Sequence, residues 1–129
     1  MILVVPSGNE GSDSPHFPCG YDHEQIVCVG AGVFQTGVLL GDGILYEQYS
    51  NRGDHVDFYA SGEFVELDDS GTSFAAPRVT SVLGFLWGNN PKLKSKEVIK
   101  ELKSFGKFVD TIKISKELNQ RNGLLYDRR

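Results

Sequence analysis

The sequence predicts an α/β fold built on a mostly parallel sheet. Three observations carry that expectation: two short β-branched apolar runs at 2–5 (ILVV) and 26–30 (IVCVG), a Gly- and Pro-rich connection between them, and a helical apolar pattern that begins at Thr72 and stops at Pro91. Runs that are apolar at every position suit strands buried on both faces, and such strands belong to parallel sheets covered by helices.

Taken in order, the opening MILVVP is far too short to cross a bilayer and lacks a basic flank or a small-residue cleavage site, so it reads as a strand. A strand directly behind a Met reads as a cut edge, with upstream sequence expected to have completed the sheet. The connection SGNEGSDSPHFPCGYDHE is dense in turn formers, and a long irregular loop inside a compact domain is usually functional. From 33 to 65, short apolar stretches alternate with Gly and Asn-Arg-Gly punctuation, which predicts short strands and turns.

The helix from Thr72 repeats Phe74, Val79, Val82, Leu83, Leu86 and Trp87 at i, i+3, i+4 spacing until GNNP ends it, with Pro77 expected in the first turn, where its missing N–H costs little. A second helix is expected over 95–105, with Ser95 as N-cap and Val98, Ile99 and Leu102 as its apolar face. The tail, 107–129, holds a strand-like FVDTIKI and a terminal GLLYDRR and reads as a peripheral cap.

At 129 residues the chain is one domain's worth. Its 13 Lys and Arg against 17 Asp and Glu leave a net charge of -4, and no basic stripe is interleaved with aromatics, which sets nucleic-acid binding aside. Cys19 and Cys28 have no second ligand pair at zinc spacing. A disulfide and two buried thiols both remain open, and with them the redox compartment.

The chemistry concentrates in GTSFAAP at 71–77. Ser73 stands at the start of a strongly apolar helix, where unsatisfied N–H groups and the positive end of the macrodipole stabilise developing negative charge. Gly71 is expected to permit a close approach of the chain, and the two alanines to keep the helix start free of bulk. Taken alone, the ordinary role of such a serine is an N-cap, and that of Asn9 a turn residue.

What changes both readings is a resemblance. GTSFAAP is similar to the nucleophile motif of the subtilase family of serine proteases; ILVVPSGNEG at 2–11, FPCGYDHEQIVCVGAG at 17–32 and YSNRGDHVDFYASG at 49–62 resemble further segments of that family, in family order. The resemblance implies a subtilisin-like three-layer α/β fold of which this chain holds the C-terminal half, with the match over about 1–106. It implies that Ser73 attacks a peptide carbonyl, that the Asn9 carboxamide and the Ser73 N–H hold the oxyanion, and that Thr72 supports the turn and borders the substrate. Pro6, Ser7 and Gly8 would wall the primary specificity pocket, with Glu10 and His16 near its mouth or floor. Peptide substrates, a secreted or extracytoplasmic location and no required cofactor follow from the same resemblance, with a weak calcium site at Asp57 and nearby carbonyls as a further expectation.

The pattern also breaks. The family's Asp and His precede its Ser, and no His-Gly-Thr occurs here: His16, His23 and His55 each lie in a Gly- or Asp-rich loop. The family's His-Val-Ala-Gly after the motif is replaced by Arg78, Val79, Thr80 and Ser81, and the stretch 62–70 is short. A serine without a base is a poor nucleophile, so the chain alone is expected to be inactive and its partner to be the missing N-terminal half of the catalytic domain. The alternative is a subtilase-derived pseudoenzyme or fragment acting as a binding or structural module.

Overall fold

The computed structural model describes residues 1–35, 43–106 and 127–128. Strand β1 (Leu3–Pro6) and strand β4 (Phe58–Ala60) both pair parallel with β2 (Ile26–Gln35), in registers that set Val5 opposite Cys28 and Val29 opposite Phe58. The far half of β2 pairs antiparallel with β3 (Gly43–Tyr46), setting Gly32 opposite Tyr46, and parallel with β7 (Asp127–Arg128). A small hairpin, β5 (Glu63–Phe64) and β6 (Asp69–Ser70), leads into helix α1 (Thr72–Asn89), which is followed by α2 (Ser95–Gly106). The class is therefore mixed α/β with a three-stranded parallel sheet at its centre. The FVDTIKI stretch lies outside the described residues.

β2 is the strand buried on both faces. Val27, Val29 and Ala31 join Ala75, Ala76, Val79, Val82, Leu83 and Leu86 of α1 and Val98, Ile99 and Leu102 of α2 in one core. Cys28, on the opposite face, packs with Val5 and Cys19 against Ile26 and Val56. Helices thus cover one face, and the loop after β1 covers the other. Each fully buried Val or Leu contributes roughly 1.5–3 kcal/mol, and most of those in this core lie on α1 and α2 where they pack over β2. β1 departs from expectation: Leu3 is 44% exposed, because among the described residues β1 pairs only on its β2 side.

Three local expectations are corrected. Pro77 is the sixth residue of α1, beyond the first turn, so the hydrogen bond from position 77 back to the Ser73 carbonyl cannot form. Ser95 is not the N-cap of α2; Lys94 takes that place, since Glu97 Oε2 accepts the Lys94 N–H at 2.7 Å while the Val98 N–H reaches the Lys94 carbonyl. Ser95 Oγ instead accepts from Gln25 Nε2 at 3.0 Å, tying α2 to the loop before β2. The expected apolar face of α2, Val98, Ile99 and Leu102, is buried.

Candidate active site

β1 delivers the loop 7–12 to the N-terminus of α1. The Ser7 N–H continues the β1–β2 ladder to the Val29 carbonyl at 2.8 Å, and Gly8 then turns the chain at a φ of 108°. Few L residues adopt that φ, and a Cβ at position 8 would collide with the Asn51 amide and come within 2.7 Å of Glu10 Oε2. The turn brings Asn9 against the helix: Asn9 Oδ1 accepts both the Thr72 N–H at 2.9 Å and the Thr72 hydroxyl at 2.8 Å. Thr72 Oγ1 in turn accepts the Gly8 N–H at 3.3 Å, closing a small ring of polar contacts.

Two donors converging on one atom of Asn9 fix it as the oxygen. The Nδ2 group is thereby turned to the other side, where no acceptor meets it among the described residues. Ser73, exposed, is the second residue of α1, and its N–H is likewise without an acceptor there. The Ser73 N–H at the start of α1 and the Asn9 N–H₂ group, carried by the residue hydrogen-bonded to Thr72, are thus both without acceptors among the described residues.

The close approach expected at Gly71 occurs instead at Gly62. A Cβ on Gly71 would meet Asn9 Nδ2 at an ordinary 3.5 Å, whereas one on Gly62 would lie 2.8 Å from the Gly71 carbonyl and from Ala31 Cβ and would collide with the Tyr49 hydroxyl. The Gly71 N–H donates to the Gly62 carbonyl at 2.9 Å, so the chain entering α1 lies directly on Gly62. The alanines after Ser73 are core residues: Ala75 is fully buried, facing the sheet, and Ala76 nearly so.

The remaining predicted site residues divide by burial. Pro6 is exposed and Gly8 half-buried, while Ser7 is fully buried with its hydroxyl donated to the Asn51 carbonyl at 2.9 Å, its N–H to the Val29 carbonyl, and its own carbonyl accepting from Asn51 Nδ2, so Ser7 is engaged within the fold at every polar group. Thr72 is buried, and its side chain works on Asn9 and Gly8. His16 lies 3.6 Å from Glu10 Oε2, on the side of the loop that faces Asn51. His23 Nδ1 accepts the Gln25 N–H, and His23 and His55 line a cavity of about 420 Å³ with Asp54, Asp57 and Lys103. Among the described residues no hydrogen bond or ion pair joins a histidine to Ser73.

Asp57 is engaged on both oxygens, accepting the Cys28 N–H at 2.9 Å and pairing with Lys103 Nζ at 3.4 Å. No group of three or more His, Cys, Asp or Glu residues converges among the described residues. Arg78, Thr80 and Ser81 are accommodated without cost to the core. Arg78 donates to the Glu63 carbonyl, Thr80 and Ser81 bond back to the carbonyls of Ala76 and Pro77, and Val79 alone of the four is buried. Phe74 stacks on Phe64 at 5.2 Å, fastening the hairpin to the helix start.

Burial lifts the Tyr49 phenol above its ordinary range, with Glu47 and Glu63 adding to the shift, and burial lifts Tyr59 as well. A raised folded-state pKa means that stability is intact below the unfolded value near 10 and is lost as pH rises past it, because the unfolded chain ionises first. Alkaline titration followed by circular dichroism should therefore show unfolding that begins above about pH 10, shifted to higher pH in Tyr49→Phe. An onset unmoved by that substitution and by Tyr59→Phe would assign the loss to other groups.

Comparison with known proteins finds no family model and no curated protein that matches this chain. The site must be read from its own residues. The residue that sequence reasoning missed is Asn51, fully buried inside the loop that carries Asn9; an Asn beside Arg-Gly reads in sequence as a turn residue, and nothing in its neighbours announces burial.

Proposed function

We infer that this chain is the nucleophile-bearing part of a subtilisin-like serine endopeptidase, with Ser73 as nucleophile and the Ser73 N–H and Asn9 Nδ2 as oxyanion donors. The observation that carries the reading is the double acceptance at Asn9 Oδ1, which aims a carboxamide donor outward beside an exposed serine at a helix start. Oδ1 caps the orphan Thr72 N–H at the start of α1, which is a structural use, while the Nδ2 group that this lock turns away is left over and suits a developing negative charge. In the proposed reaction the Ser73 oxygen adds to the peptide carbonyl, its proton passes to a base, and the leaving amine departs with a proton as the acyl-enzyme forms.

The base and the acid that orients it lie outside this chain in the proposal, on a segment that pairs with the edge of β1 where no strand pairs among the described residues. The Cys19–Cys28 disulfide supports a secreted or extracytoplasmic setting, because such bonds persist in oxidising compartments. No calcium ion is required. A weak site at Asp57 would have to displace Lys103.

A second reading, a non-catalytic binding module, is favoured by the absence of any contact between a histidine and Ser73 among the described residues. A fluorophosphonate probe separates the two. The chain alone is expected to remain unlabelled, while the chain joined to an upstream segment bearing Asp and His should label at Ser73 and fail to label in Ser73→Ala. An unlabelled joined protein, folded by circular dichroism, would leave the binding module standing. Rapid Ser73-dependent labelling of the chain alone would overturn the claim that its base lies elsewhere.

A further inference from the structure

We propose that Asn51 is the positioning residue for the Asn9 donor: it shapes the loop on both sides of Asn9, and Asn9 reaches Thr72 because Asn51 holds its neighbours. The inference rests on the reading of Asn9 as an oxyanion donor, but its geometry is independent of any reaction.

All four hydrogen-bonding positions of the Asn51 carboxamide are used, and all are used on one loop. Oδ1 accepts the Glu10 N–H at 3.1 Å and the Ser12 N–H at 2.9 Å. Nδ2 donates to the Ser7 carbonyl at 3.0 Å and to Glu10 Oε2 at 2.9 Å. The backbone adds to this, with the Asn51 N–H on the Gly8 carbonyl at 3.0 Å and the Asn51 carbonyl accepting the Ser7 hydroxyl at 2.9 Å. Residues 7, 8, 10 and 12 are thus bonded to Asn51, Gly11 donates to the Tyr49 carbonyl, and the Asn9 side chain is left to face the helix, beside the Gly8 N–H that meets Thr72 Oγ1.

A buried amide with every position satisfied has one arrangement, because any rotation strands donors and acceptors away from water. The loop inherits that single arrangement. Glu10 belongs to the device: its carboxylate receives Asn51 Nδ2 and lies 3.6 Å from His16 Nε2, so the loop's own side chain completes the cradle. Asn9 and Thr72 are 63 positions apart in the chain, and the contact between them survives only if the loop conformation is fixed beforehand.

The Thr72 N–H reports on this directly, since its acceptor is Asn9 Oδ1. In the full chain, Thr72 is expected to be protected from hydrogen exchange and to lose that protection in Asn9→Ala. Asn51→Asp keeps the acceptor oxygen but sets a carboxylate against the Ser7 carbonyl and Glu10, so Thr72 protection at neutral pH should fall by at least about tenfold, with the Asn9 side-chain amide resonances moving towards those of a free carboxamide. The amides of Val27, Val29 and Val82 should keep their protection. Adding Glu10→Gln returns a donor to face the new carboxylate, and the double variant should regain most of the lost protection.

Unchanged Thr72 protection in Asn51→Asp would overturn the proposal. So would loss spread equally over the β2 and α1 core with no recovery in the double variant, which would make Asn51 a general structural residue. A chain that never labels with a fluorophosphonate leaves every one of these exchange results unaltered, so failure of the protease reading and failure of this inference are told apart.

Discussion

Gly8→Ala is expected to destabilise the protein by about 3 kcal/mol or more and to release Asn9 from the helix. Two costs combine. An L side chain held at a φ of 108° occupies a sparsely allowed region, a strain on the order of 1–3 kcal/mol. Its Cβ would also collide with the Asn51 amide and press to 2.7 Å from Glu10 Oε2, and overpacking of that kind costs roughly 1–3 kcal/mol more. Asn51 is fully buried with every polar position occupied, so it cannot retreat without stranding donors. The chain will relieve the clash by rotating the peptide at position 8, breaking the Gly8 N–H bond to Thr72 Oγ1.

Urea unfolding of the two proteins measures the first effect, and exchange at the Thr72 amide the second. A semisynthetic chain ligated at Cys19 with D-alanine at position 8 separates the terms, because a D residue accepts positive φ and directs its methyl away from the position that an L side chain would take. It should recover a substantial part of the loss. An L-alanine variant within about 0.5 kcal/mol of the parent would show that the loop adapts freely and that the Asn9 lock is soft.

The parts of this structure legible in sequence are those in which local pattern and tertiary environment agree. IVCVG announces β2 because a strand buried on two faces has no reason to carry a polar residue, and Val98, Ile99 and Leu102 announce the inner face of α2 by spacing alone. The resemblance expects Asn9 and Ser73 to act together, and the fold sets Asn9 on Thr72, the residue before Ser73. The failures share one cause. Locally, Pro77 favours a first turn, Ser95 a cap and Gly71 a close approach, whereas the assembled chain starts α1 five residues before Pro77, gives the cap to Lys94 and bonds Ser95 to Gln25, and puts the close approach at Gly62.

Gly71 and Gly62 make the point most clearly, since a glycine's reason for being glycine lies in what faces it. Gly62 is required because the Gly71 carbonyl, Ala31 and Tyr49 press on it, three neighbours drawn from separate parts of the chain. Asn51 was invisible for a related reason. A polar side chain that is wholly satisfied inside a protein has the same sequence signature as one dissolved in water, and only the fold distinguishes them.

Reduction of Cys19–Cys28 should cost about 2.7 kcal/mol, the chain entropy that a closed loop of about ten residues withholds from the unfolded state. The bond's position makes it more than a local clip. Cys28 is the third residue of β2, opposite Val5 of β1, and Cys19 anchors the long loop over the sheet face that no helix covers. Without the bond that loop is held on this face by Val5, Ile26 and Val56 contacts and a few hydrogen bonds, so reduction should loosen residues 13–25 first while α1 and α2 keep their packing. Thiol titration should find no reactive cysteine before reduction and two after it, with the urea midpoint falling in step and matched by Cys19→Ser/Cys28→Ser. Two free thiols in the purified protein, at undiminished stability, would remove the bond from the account and with it the physical argument for an oxidising compartment. The expected sequence of events has a bearing on the site, since β1 holds Val5, which packs on the disulfide, and leads into the loop that carries Asn9. Loss of the bond should therefore lower Thr72 protection before it unfolds the core, a graded result that a disulfide remote from the site would not give.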